Sequence, residues 1–124
     1  MAVTNFKDLI VWQKAMELAK QVYMLTKYLP QQEIYALSDQ MRRAAVSIPS
    51  NIAEGQARQS KKEFLQFLSI ARGSRAELET QLLLAKEIGL FQSVAQEEID
   101  KTFALSDEVG KMLFVLSKKL TTDH

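Results

Sequence analysis

Apolar residues recur along most of this chain at alternating spacings of four and three, a repeat that gathers side chains on one face of an α-helix. Val11, Ala15, Leu18, Val22, Leu25 and Leu29 follow it near the start, and Ala95, Ile99, Thr102, Ser106, Val109, Leu113, Leu116 and Leu120 follow it near the end. Four glycines and two prolines in 124 residues supply too little turn chemistry for an all-β domain. The pattern therefore predicts an all-α chain. Its length suits a single domain over residues 1–124, just large enough for one self-sufficient core.

Punctuation residues place four helices. Asn5 is suited to cap the first, Asp8 to its positive dipole end, and Pro30 to stop it. The second is expected from about Glu33 to Gly55, with Ile34, Leu37, Met41, Ala44 or Ala45, Ile48 and Ile52 inward. Pro49 lies inside it, removes a backbone donor and crowds the preceding turn, so a kink is expected between Ala45 and Ser50. Small neighbours at Ala44, Ala45, Ser47, Ser50 and Ala53 would let another backbone come close. Ser60 followed by Glu63 is a capping box that opens the third helix. That helix runs through Phe64, Phe67, Leu68, Ala71, Leu78, Leu82 and Ala85 to a C-terminal cap at Gly89. Ser93 and Gln96 repeat the capping-box pattern before the fourth.

Long helices with short connections imply an antiparallel up-down four-helix bundle with a proline-kinked second helix. More apolar surface is patterned than one core requires. Leu9, Trp12, Met16, Ala19 and Tyr23 form a second stripe on the first helix, and Leu65, Ile70, Leu83, Leu84 and Ile88 lie off the main stripe of the third. A helix apolar on both sides is buried on both sides, so a flank buried against copies of the same chain is expected. The competing reading is a monomer with partly exposed leucines.

Charge is unevenly distributed. All five arginines fall between Arg42 and Arg75, and residues 42–75 carry a balance of +5, against zero for residues 1–41 and −4 for residues 76–124. The guanidinium fork suits carboxylate or phosphate. Arg42, Arg43, Arg58, Lys61, Lys62, Arg72 and Arg75 are thus candidate nucleic-acid-binding residues, with solvated charge and ion pairing as the alternative. Lys61, Arg72, Arg75 and Lys86 share a narrow helical face with Glu79, which stands four residues from Arg75 and is its ready partner.

Residue types that carry catalysis are scarce. The chain has no cysteine, and its histidine is the terminal His124, so thiolate chemistry, a histidine triad and Glu-x-x-His di-iron pairs find no place in it. Ser50, Asn51, Glu54 and Gly55 form a polar group beside Pro49, better read as satisfying backbone groups freed by the proline or tying the helix to an arginine. Glu77 and Glu79 diverge around a helix and cannot act as a paired acid and base. The acidic run Glu97, Glu98 and Asp100 fits a helix N-terminus without a metal, and GSRAELET lacks the glycine spacing and Lys-Ser/Thr ending of a phosphate loop. Phe6, Trp12 and Tyr23 read as core or interface aromatics. Neither enzymatic activity nor a cofactor is expected. Lys7, Asp8, Lys14, Glu17 and Lys20 interrupt the apolar pattern at the start, so no secretory signal or membrane span is expected and the expected location is cytoplasmic.

The stretch VSIPSNIAEG followed by KKEFLQFLSIARGSRAELETQL resembles the family of four-helix-bundle proteins encoded in intervening sequences of bacterial 23S ribosomal RNA genes. FKDLIVWQKAMELAKQVY is similar to that family's first helix, with its aromatic, Asp-Leu and Trp-Gln pattern, and the resemblance covers nearly the whole chain. It implies a ring of five bundles around a central channel, hence a homopentamer. It also implies likeness to the accessory protein of diversity-generating retroelements, which partners a reverse transcriptase and nucleic acid, so RNA or DNA and such an enzyme are the partners it suggests.

Overall fold

The computed structural model describes residues 5–29 and 34–122; the expected stop at Pro30, the expected start at Glu33 and His124 lie outside them. Four α-helices are present among the described residues: α1 Ile10–Thr26, α2 Asp39–Gln56, α3 Lys61–Glu87 and α4 Gln96–Thr122. The expected inward stripes supply the core. Leu18, Val22, Met41, Ile48, Ile52, Leu68, Leu78, Leu82, Val109 and Leu113 are completely buried. Each helix packs on its sequence neighbour, and α1 also packs on α4.

Specific contacts fix how the helices sit. Thr26 at the end of α1 accepts from Arg42 near the start of α2, while Lys7 lines a cleft with Gln56 and Ala57 at the other end of α2. The Ser47 and Ser74 hydroxyls, 2.8 Å apart, join α2 to α3. Gly55 makes the closest approach: a Cβ built there would lie 2.6 Å from Phe67 Cβ and 3.0 Å from the Phe64 ring. Its role is thus to let α2 and α3 meet, one residue before α2 ends. Gln21 donates to the Glu98 carboxylate at 3.0 Å, and Lys14 lies 3.6 Å from Glu108, linking α1 to α4.

Helix ends agree with the sequence in part. Ser60 accepts from the Glu63 amide at 3.1 Å, as a capping serine should. Gly89, at φ +81°, closes α3 in a Schellman motif, with the Leu90 amide on the Ala85 carbonyl and the Gly89 amide on that of Lys86. Three expectations need correction. Asn5 caps a 3-10 turn, Phe6–Asp8, by accepting from the Lys7 amide; Leu9 then turns the chain extended before α1, so the cap serves a short preceding turn. The segment Ile34–Ser38 is a π-helical turn leading into α2, a widening that leaves apolar spacing nearly unchanged and so leaves no mark in the sequence. Ser93 donates to the Tyr28 carbonyl and the Gln96 amide group to Asp100, so the second capping box gives way to a cross-chain link and an i,i+4 pair. α4 follows Ala95, whose carbonyl accepts from the Glu98 and Ile99 amides.

Candidate nucleic-acid interface

The basic segment is contiguous in sequence but spread in space. Arg42 and Arg43 stand in the first turns of α2, and Arg58 follows its last turn, sixteen residues or about 24 Å of helix away. Arg42 is held inward: its Nε donates to Thr26 Oγ1 at 2.8 Å and its guanidinium lies 5.2 Å from the Tyr23 ring centroid. Arg43 is 80% exposed and pairs with Asp39 one turn earlier. Arg58 pairs with Glu54 at 2.9 Å and lies over the Phe67 ring. Lys61 and Lys62 open α3 on the surface.

The shared face of Arg72, Arg75 and Lys86 turns toward α4. Arg72 lies over Phe114 and Lys86 over Phe103, both α4 residues. Arg75 donates to Glu79 at 2.7 Å, as its spacing predicts, and its guanidinium lies flat across Gly110, where an added Cβ would meet it at 2.9 Å. Arg72, Arg75 and Gly110 line a polar groove between α3 and α4 with Ser69, Gly73 and Ala76.

Other cations stand on α4 and ahead of α1. Lys118 of α4 lies 5.9 Å from the Phe114 ring centroid, on the same ring as Arg72. Lys119 borders a cleft with Leu9, Ile10 and Val11, and Lys7 lines the cleft against the end of α2. Counting arginines along the chain passes over these lysines, because Lys118 comes to the ring that Arg72 shares only through folding. Glu97, Glu98 and Asp100 open α4, at the opposite end of that helix from Lys118 and Lys119. The ion pairs at Arg43 and Arg58 are exposed and weak, so both guanidinium groups can exchange a carboxylate for a phosphate at little cost.

The polar group around Pro49 has structural employment. Ser50 donates to the Val46 carbonyl, and the Asn51 amide group donates to the Ser47 carbonyl and hydroxyl. Asn51 thus serves Ser47, rather than the Ala45 carbonyl that the proline leaves without its usual donor; Glu54 does tie α2 to an arginine. Among the described residues no group of three or more His, Cys, Asp or Glu is placed to hold a metal ion, and no helix is long and apolar enough to cross a membrane.

The second stripe of α1 lines an apolar groove of about 630 Å³ with α2, formed by Trp12, Met16, Tyr23, Met24, Val46 and Pro49 among others, with Lys20 and Lys27 also in its lining. Tyr23, Met24 and Val46 remain more than two-fifths exposed, as do Ile70, Leu83, Leu84 and Ile88 on α3. Leu65 is half-buried.

The profile of the family described as 23S rRNA-intervening sequence protein matches residues 7–115. A solved structure from Bacteroides thetaiotaomicron, of a protein of unknown function from the S23 ribosomal protein family, is similar at a TM-score of 0.78 and 29% identity, covering 88% of this chain and 99% of that one. Among curated proteins there is no match. With a profile match across most of its length and the same all-helical fold in that relative, the chain belongs to the 23S rRNA-intervening sequence protein family.

Proposed function

We propose that this chain is a non-enzymatic, cytoplasmic, single-domain four-helix bundle that self-associates, as a homopentamer by the family resemblance, and engages nucleic acid through one basic end. The contacts Thr26–Arg42, Ser47–Ser74 and Gln21–Glu98 support an antiparallel up-down order, and Pro49 within α2 supports a bend there. The observation that carries the binding reading is the basic corner where Arg58 follows α2 and the exposed Lys61 and Lys62 open α3, with Lys7 in the cleft against Gln56 and Ala57. Arg42 and Arg75, engaged by Thr26 and Glu79, serve the fold, and Arg43 stands at the opposite end of α2 from Arg58. RNA, DNA or a nucleic-acid enzyme such as a reverse transcriptase are the partners this surface suits.

The test compares two triple variants on a structured RNA hairpin and a DNA duplex over a salt series. Arg58, Lys61 and Lys62 changed to alanine should weaken binding to all sequences alike, because phosphate contacts do not read bases. Each lost contact should flatten the slope of log affinity against log salt by about 0.7–0.9. Arg43, Lys86 and Lys101 changed to alanine should leave it nearly intact. Equal losses in both, or no salt-dependent binding by the parent, would leave a protein–protein interaction module as the reading, which the exposed apolar faces favour.

A further inference from the structure

We propose that self-association joins two different faces: the α1/α2 groove of one copy receives the outer ridge of α3 from the next. The inference rests on the self-association reading above and adds the identity of the two surfaces. Ile70, Glu77 and Leu84 are spaced by seven along α3, and Ile88 follows one turn later, so they form one stripe. Its apolar members are 51%, 48% and 57% exposed, so about half of each is left uncovered by the chain itself. A stripe of this length spans about 27 Å of helix. The groove offers apolar walls of matching character, with Lys20 and Lys27 in its lining.

Charge selects the ridge. Another exposed apolar patch, Phe114 and Val115 on α4, is flanked in sequence by Lys111, Lys118 and Lys119, which would meet the groove lysines with like charge. The α3 stripe instead carries Glu77 at its centre.

The axial register agrees. Tyr23 and Thr26 face Arg42, Ser47 faces Ser74 and Gly55 faces Phe67, so with α1 and α3 running the same way Met16 lies level with Ile70 and Tyr23 with Glu77. By the same register Tyr28, 56% exposed, lies near the level of Leu84. In a ring whose axis parallels the helices, neighbouring copies keep these levels. Ile70 of one copy then meets Met16 of the next, and Glu77 falls between Lys20 and Lys27. Such a head-to-tail contact closes into a ring when the rotation between copies divides a full turn, whereas a groove meeting its own copy would stop at a dimer.

The chain has no native cysteine, so two can be introduced cleanly. With a short bis-maleimide, the Met24→Cys/Glu77→Cys double variant should give a covalent ladder of multimers on denaturing gels, and each single variant should stay monomeric there. Glu77→Lys alone should weaken assembly about tenfold or more, and adding Lys20→Glu and Lys27→Glu should restore it. Cross-linking of Met24→Cys to itself, or no ladder from the double variant while the parent runs as an oligomer in native mass spectrometry, overturns the face assignment. A parent that is itself monomeric overturns the self-association reading instead.

Discussion

The α1/α2 and α3/α4 grooves are built from the same kind of helix, yet they are finished in opposite ways. Between α3 and α4 the gap over Gly110 is filled from within: the Arg75 guanidinium lies across the glycine and is held there by Glu79. Between α1 and α2 the walls are Trp12, Met16, Tyr23, Met24 and Val46, and the groove between them stays open. An arginine that covers a backbone and meets its own carboxylate completes a surface for water. An open apolar trough with lysines beside it has the character of an interaction surface.

Breaking the open side should have the largest effect. Met16→Glu with Met24→Glu puts two charges into the groove and should weaken assembly by about 100-fold or more, in line with loss of central interface anchors. Far-UV circular dichroism should remain helical, since both residues are outside the buried core. A smaller effect is expected on the closed side. Arg75→Ala removes a charged hydrogen bond and the packing over Gly110, but the pair is partly exposed, with side-chain exposures of 22% and 35%. The loss should be about 1 kcal/mol in denaturant unfolding, with no change in oligomer mass. The smallest effect sharpens the contrast between glycines. Nothing lies within 4 Å of a Cβ built at Gly73, so Gly73→Ala in the monomeric groove variant should raise stability by about 0.5–1 kcal/mol, the helix-propensity gain. A loss there would show that the outer face of α3 is closed within the chain.

Much of the fold is legible in the sequence because burial in a helix repeats with the helix. Val11, Ala15, Leu18, Val22 and Leu25 were picked out by spacing and are all buried, and the Ser60 and Gly89 signals mark the two ends of α3. Legibility fails where local chemistry has two uses. Asn5 and Ser93 both look like α-helix caps, but one serves a 3-10 turn and the other reaches the Tyr28 carbonyl, a neighbour supplied by tertiary structure. The candidate site was read less completely for the same reason. Clustering along the chain singled out Arg42 and Arg58 together, although a helix holds them apart, and passed over Lys118, which folding brings to the ring that Arg72 shares. Sequence proximity is a poor guide to a charged surface when each helix spans the whole molecule. The Arg75–Glu79 pair was foreseen because both residues lie on one helix, four apart.

The central claim is that the open apolar faces are covered by copies of the same chain, and native mass spectrometry of the unmodified protein at tens of micromolar tests it most directly. The expected result is a closed oligomer, five copies by the family resemblance, with no appreciable monomer. A chain that stays monomeric at that concentration would contradict it.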